Sequence, residues 1–437
     1  MRPLLLACSL MTAALVLGSC AAPPQVAAPA PARAQQLLTV HIDAGTRAAD
    51  LAQRSGGQVL IFKPEAGFAV LGLPARASAL RAQASLGGQL ESNLGAFHLT
   101  GGALWIDGGA LWIDGGALWI DGGALWCDGG ALWIDGGALW IDGQFHSMPQ
   151  NTDAFRQVHL DDAQRGSAHL GAGVEVAVID SGLDLAHPAF QGVVDRANMH
   201  DFVDGDDQPQ EVGTVGQAPY GHGTGVAGVV RQVAPNSRIL PLRVVDAQGN
   251  ADAASVAAAV VWAADHGAGV LNLSLGSDQD SPAVDAALEY AAAHGVYATL
   301  SAGNRGGEAL DYPAASLAGS ALRRQTSVSV GSVDGSDVKS TFGSYSPDLG
   351  LSAPGEGVAV PAPEGHLALW TGTSFSAPLA AGALALALAD RTNGADLVAA
   401  LQASAADLNG VSGNAAYAHK LGGRLDVKAL LDRVTAP

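Results

Sequence analysis

Residues 174–182 read VEVAVIDSG. Six mostly apolar residues end in a carboxylate, Asp180, and a Ser-Gly pair follows. A short β-branched run of this kind reads as a buried strand. RILPLRVVD (238–246), GVLNLSLG (269–276), VYATLSAGN (296–304) and TSVSVGSVD (326–334) have the same character, with Ala-rich helical segments between several of them. Apolar strands alternating with helices predict a doubly wound α/β fold over residues 151–437, a mostly parallel sheet covered on both faces. Ligands of such sheets bind beyond the carboxyl ends of the strands, so Asp180 is expected at the mouth of a site.

Three more residues fall at comparable places. His222 stands in YGHGTGVAGVV (220–230), between two glycines and ahead of an apolar helix. Asn304 ends VYATLSAGN, and Ser374 stands in TGTSFSAP (371–378), which opens a long apolar helix. Singly, each has a plain structural role. Asp180 can cap a turn, His222 can start a helix, Asn304 can make a turn, and hydroxyls favour helix starts. Jointly they supply a reaction. A Ser hydroxyl is a weak nucleophile, so an imidazole must take its proton. The imidazolium needs a buried carboxylate beside it. The oxyanion that forms needs prepositioned donors, for which a neutral amide and a helix N-terminus are suited.

VAVIDSG, GHGT, SAGN and GTSFSAP resemble the four signature blocks of the subtilisin-like serine proteases, and the ending LGGRLDVKALL (421–431) is similar to how those domains close. The resemblance implies that Asp180 orients the imidazole, His222 is the general base and acid, and Ser374 is the nucleophile. Asn304 and the Ser374 N–H would hold the oxyanion. It also implies that Ser274, Leu275 and Gly276 pair with the peptide and wall the first specificity pocket. Ser301, Ala302 and Gly303 would form the pocket's other side, and Gly249, Asn250 and Ala251 would pair from the opposite edge. Recognition through main chain implies a broad endopeptidase acting on proteins and peptides, with no cofactor needed for the chemistry.

Two departures from the family pattern matter. Phe375 follows the nucleophile where many members have Met, which removes a site of sulfoxide formation. Ala189 stands where many members carry a calcium-binding Asp, and the segment from His222 to VAP (233–235) is short, so the usual calcium site is expected to be absent. The acidic run DFVDGDDQPQ (201–210) reads either as a calcium loop or as a solvated loop, and the metal question stays open.

Upstream, residues 37–100 read βαββαβ, a small ferredoxin-like α+β unit. Beside this catalytic domain it resembles the family's propeptide, a folding chaperone and inhibitor. Residues 1–20 form a secretory signal pattern. LGSC, ending at Cys20, resembles a lipoprotein signal and implies lipidation there and a surface-anchored bacterial protein. Ordinary cleavage near Ala21 or Ala22 and full release is the competing reading. The Ala/Pro-rich segment 21–36 is a semi-rigid spacer. The cysteines are Cys8, Cys20 and Cys127, so no disulfide framework is expected. A net charge of −19 argues against nucleic acid as a partner. A monomer is expected.

Residues 101–143 hold six copies of GALWIDG, one with Cys127 in place of Ile. Two glycines per heptad exclude a coiled coil. One reading takes each Asp-Gly as a hairpin turn, giving a six-stranded meander with Trp opposite Ala and Leu opposite Leu. The other is an expanded linker. Two functions besides proteolysis stand as alternatives: an adhesion protein that uses the Trp tract, and a catalytically dead relative, against which the four intact blocks argue.

Overall fold

The computed structural model describes residues 34–93, 97–99, 148–215 and 219–436. It describes 102–106, 111–113, 116–118, 124–127, 130–135, 138–141 and 144–146 as strands, by their pairing alone. The signal-like residues 1–20, Cys20 and positions 21–33 of the spacer lie outside the described residues.

The N-terminal unit runs β1 (Gln36–His41), α1 (Ala48–Ser55), β2 (Gln58–Lys63), β3 (Phe68–Leu73), α2 (Arg76–Leu86) and β4 (Gln89–Ser92). Its antiparallel sheet has the order β2-β3-β1-β4, the expected ferredoxin-like arrangement. Alternation along β1 divides its side chains between two cores. Leu38 and Val40 pack with Leu51, Ala79 and Ala82 inside the unit. Leu37 lies with Phe68 and Val70 in a cluster shared with the catalytic domain. The final strand was expected as one run through residue 99. Only Gln89–Ser92 stays in this sheet. Phe97–His98 (β5) instead pairs antiparallel with Asn250–Ala251, trading a place at the edge of a small sheet for main-chain partners in the larger domain.

The catalytic domain contains β7 (Glu175–Asp180), α3 (His222–Val233), β8 (Arg238–Arg243), β9 (Asn250–Ala251) and α4 (Ala253–Asp265), counting Gly102–Ile106 as β6. There follow β10 (Val270–Leu273), α5 (Pro282–Ala293), β11 (Tyr297–Ser301), β12 (Ser327–Val333), β13 (Leu351–Pro354), β14 (Val358–Ala362), β15 (His366–Thr371) and α6 (Thr373–Asp390). The large sheet runs β8-β7-β10-β11-β12-β13 through its centre, all parallel. Only the edge pair 406–407 with 423–424 is antiparallel.

Both faces of this sheet are dry, and β7 shows why its sequence is apolar throughout. Val176 and Val178 pack with residues of α3 and α6 on one face. Ala177 and Ile179 pack with residues of α4 and α5 on the other. α6 is apolar on all sides because it is the core helix, with 89% of its apolar stretch buried. The chain passes from β7 to β8 on one side, then crosses back to β10 on the other. That reversal opens a crevice at the carboxyl end of β7, where Asp180 stands.

The repeat does not form one six-stranded meander. Its first copy supplies β6, which pairs with β15 next to the β14–β15 hairpin. Strands 111–113 and 116–118 pair only with each other, and 124–127, 130–135 and 138–141 join 144–146 in a separate four-stranded sheet. The expected register holds where Leu111 meets Leu118 and Trp112 meets Ala117, and again where Trp126 meets Ala131. It fails where Trp133 meets Trp140. There Asp135 pairs with Ala138, so two glycines lie between the strands rather than Asp-Gly. Identical copies offer both kinds of two-residue turn, so the sequence specifies register weakly.

Candidate active site

Asp180 ends β7 and His222 is the first residue of α3. His222 Nδ1 lies 2.7 Å from Asp180 Oδ1, and both side chains are buried. The same Oδ1 accepts the Ser181 N–H at 2.7 Å. This pairing gives the imidazole a fixed orientation and leaves Nε2 to face the reaction. Trp370 stands edge-on to the ring at 5.2 Å and Phe375 at 5.3 Å, so the imidazole has no room to turn.

A residue that sequence reasoning missed supports this pair from behind. Glu211 is buried, accepting Ser181 Oγ at 2.6 Å, Thr224 Oγ1 at 2.8 Å and Thr224 N–H at 3.1 Å. Ser181 Oγ in turn accepts the Gly223 N–H at 2.9 Å. Glu211 therefore ties the residue after Asp180 to the two residues after His222. Burial, with a smaller push from Asp180, raises the Glu211 carboxyl above its ordinary value, while its hydrogen bonds oppose that rise. Its partners lie inside the DSG and HGT motifs, but Glu211 itself lies in a loop with no motif to mark it.

The alcohol is held by main chain. Ser374 is the second residue of α6, whose N-terminus aims positive potential at the site. Pro378 sits four residues on and has no N–H for the Ser374 carbonyl. Ser274 Oγ donates to that carbonyl instead, at 2.7 Å. Ser374 Oγ donates back to the Ser274 carbonyl at 3.2 Å. His222 Nε2 is buried with no hydrogen-bond partner. The proton-sharing contact between Ser374 and His222 is thus not made in this state, and a change of the Ser374 rotamer is the motion that would form it. Such contacts tighten when the reacting group arrives.

Asn304 follows β11 and its Oδ1 accepts both Thr373 N–H at 2.9 Å and Thr373 Oγ1 at 3.0 Å. With the oxygen engaged by the helix start, the amide nitrogen is the donating end. Asn304 and the Ser374 N–H thus meet at one helix terminus, as an oxyanion site requires.

The predicted cleft edges are both in use. His98 exchanges main-chain hydrogen bonds with Gly276, at 2.9 and 3.2 Å, and Leu99 N–H donates to the Gly249 carbonyl at 3.2 Å. Asn250 and Ala251 pair with His98 and Phe97. Residues 97–99 thus lie as a third strand between the Ser274–Gly276 and Gly249–Ala251 edges. Beyond them, β6 pairs along β15 with Gly102 opposite Thr371, three residues before the nucleophile. Ser301 and Ala302 are buried. A Cβ on Gly303 would lie 2.4 Å from Asp311 Cγ, and one on Gly276 would lie 2.9 Å from Asp311 Cβ. The two predicted pocket walls therefore close on Asp311, which pairs with Arg305 at 2.7 Å.

In the acidic loop, Asp201 and Asp204 pair with Arg243 Nη1 at 2.7 and 2.6 Å, and Asp207 pairs with His200 at 2.9 Å. Among the described residues, no three His, Cys, Asp or Glu side chains converge as metal ligands.

An oriented imidazole, an alcohol at a helix N-terminus and a fixed amide, on the rim of a parallel sheet, define a serine protease of the doubly wound α/β class. The chain belongs to the subtilase family, whose sequence profile matches residues 171–422. It is 32% identical over 269 residues to the thermophilic serine proteinase of Bacillus sp. (strain AK1), covering 60% of this chain and 62% of that protein. It is 32% identical over 250 residues to thermitase of Thermoactinomyces vulgaris, covering 55% of this chain and 84% of that protein. A cold-adapted subtilisin-like serine proteinase of known structure aligns at a TM-score of 0.51 and 28% identity, over 67% of this chain and 96% of that one. Fervidolysin from Fervidobacterium pennivorans aligns at 0.64 and 20% identity, over 91% of this chain and 61% of that one, a likeness of fold.

Proposed function

We propose that this chain is an exported serine endopeptidase made as a zymogen that cuts itself between Thr100 and Gly101. Strand register carries this reading. Residues 97–99 lie between the two cleft edges, and Gly102 pairs opposite Thr371. Two residues, 100 and 101, separate those strands in the chain, and Thr371, opposite Gly102, is three residues before Ser374. Ser374 Oγ would add to the Thr100 carbonyl carbon as His222 takes its proton. The carbon–nitrogen bond to Gly101 would break as His222 returns the proton to the leaving amine, and water would hydrolyse the acyl-enzyme. Residues 34–99 then act as the inhibitor that fills the cleft.

Binding through main chain supports broad specificity. The signal-like N-terminus supports export, and LGSC supports a lipid on Cys20. No observation favours the adhesion reading.

N-terminal sequencing and fluorophosphonate labelling of the purified chain test the proposal. The wild type is expected to begin at Gly101 and to take the label. Ser374→Ala is expected to stay uncut and unlabelled, with activity down by about 10⁶-fold, the size known for the subtilisin nucleophile. Processing that survives Ser374→Ala would remove the self-cleavage reading. Intact mass of exported Ser374→Ala, which is expected to keep Cys20, reads the state of that residue: a lipidated Cys20 terminus supports the anchor, and an unlipidated one rejects it.

A further inference from the structure

The sequence that crosses the site occurs again. Residues 97–105 read FHLTGGALW, and residues 104–112 read LWIDGGALW. The second nonamer recurs at 111–119, 118–126, 125–133 and 132–140, with Cys127 for Ile in one copy. The five residues after Thr100 or Asp are the same in every case, GGALW. Ahead of them stand an apolar residue (Phe97 or Leu), an aromatic one (His98 or Trp), and another apolar one (Leu99, Ile or Cys).

We propose that each Asp-Gly-Gly junction of the repeat is a further ligand of this cleft, bound in the register that residues 97–106 hold. The enzyme would then carry its own tethered substrates. This rests on the reading given under Proposed function. Three observations favour it. First, the cleft holds residues 98 and 99 through Gly276 and Gly249 main chain, which does not distinguish His-Leu from Trp-Ile, and the hydrogen bond between His98 Nδ1 and Asn250 Oδ1 at 3.0 Å is one that an indole N–H can also donate. Second, Phe97 is 1% exposed, in the cluster that holds Ala251 and Leu275, and Leu99 packs against the same cluster. Leu and Ile suit those two places, whereas His98, which is exposed, leaves room for Trp. Third, β6 shows that a GALWI strand pairs with β15 from Gly102–Thr371 to Ile106–Leu367, and every other copy but one carries those same five residues.

The chemistry at a junction is the same hydrolysis. Ser374 Oγ adds to the Asp107 carbonyl carbon, and its proton passes to His222. The bond to Gly108 breaks as that nitrogen takes the proton, and water releases Asp107 as a carboxylate. The new N-terminus, GGALW, is again the sequence that pairs with β15.

The test uses the self-processed full chain, a fluorogenic peptide substrate, and two synthetic peptides, 97–105 and 104–112. The 104–112 peptide is expected to compete, raising KM and leaving kcat unchanged, with any cut at Asp107–Gly108. The same peptide with Leu104→Asp is expected to compete at least tenfold more weakly. Absence of competition, a cut elsewhere, or equal competition by the Leu104→Asp peptide overturns the proposal. Peptide 97–105 separates the two readings. If it is cut at Thr100–Gly101 while 104–112 does not compete, this inference fails and the protease reading stands. If neither is recognised while the fluorogenic substrate is turned over, the self-cleavage register at Thr100–Gly101 fails too. In the chain itself, deletion of residues 108–142 is expected to lower KM for the external substrate about threefold or more, because a tethered ligand acts at an effective concentration near millimolar. An unchanged KM in an active deletion variant overturns the tethering.

Discussion

Two glutamates, Glu211 buried and Glu91 half-buried, serve opposite purposes in this molecule. Glu211 lies inside the catalytic domain and accepts from Ser181 and Thr224, next to the start of α3. Glu91 lies on the last strand of the N-terminal unit and accepts the Ala283 N–H at 2.9 Å, at the start of α5. Both take a helix N-terminus as partner, and burial is the largest force raising both carboxyls. The difference is permanence. Glu211 never leaves its donors, so its desolvation serves geometry. Under the proposed self-cleavage, Glu91 belongs to a segment that leaves after processing, so its desolvation is recovered on release. A desolvated carboxylate thus fixes a site in one place and would mark a removable contact in the other.

The sharpest way to break this comparison is pH. Burial pushes the Glu91 carboxyl up to about 7 when docked, and it returns to an ordinary value near 4.3 in water. A raised pKa means the docked state holds the proton. Its stabilisation is therefore full below the free value and lost as pH rises through 7. Inhibition of the processed enzyme by the excised N-terminal segment is expected to weaken about a hundredfold from pH 5 to pH 8. Glu91→Gln should flatten that dependence, and a wild-type inhibition constant that ignores pH would sink the idea.

Next in size is Glu211. Glu211→Ala strands the hydroxyls of Ser181 and Thr224 in a dry site, at a cost of about 1–3 kcal/mol. The expected result is a kcat lower by about tenfold with KM little changed. Glu211→Gln keeps an acceptor and should recover most of the loss. Equal kcat in Glu211→Ala and wild type would separate this carboxylate from the triad. The smallest effect belongs to Asn93, whose Oδ1 accepts the Ala254 N–H at 2.9 Å at the start of α4. Asn93→Ala should weaken inhibition by the excised segment about fivefold, in line with the loss of one helix cap. Titration of processed enzyme with the variant segment reads it.

What could be read from sequence follows from where each residue sits. Asp180, His222, Asn304 and Ser374 occupy strand ends and helix starts inside short motifs, so local pattern and fold class together were enough to find them. The order βαββαβ and the parallel sheet were legible for the same reason, because apolar periodicity survives without tertiary knowledge. Glu211 was not legible, since its role depends on the path of a loop. The departure of Phe97–His98 from the small sheet was hidden as well, because its partners Asn250 and Ala251 lie about 150 residues away. The repeat's heptad spacing was plain, yet copies that are alike cannot say which of them pairs with β15.

Pro378 has a consequence beyond its helix. By withholding one N–H it hands the Ser374 carbonyl to Ser274, the first residue of the edge whose Gly276 pairs with His98. In the proposed enzyme, grip and reaction would therefore share one contact. A peptide that draws that edge toward itself also tugs the nucleophile's own backbone, and a sequence that seats badly leaves the alcohol aimed away. Selectivity in such an enzyme would show itself as a difference in turnover even among peptides held equally well.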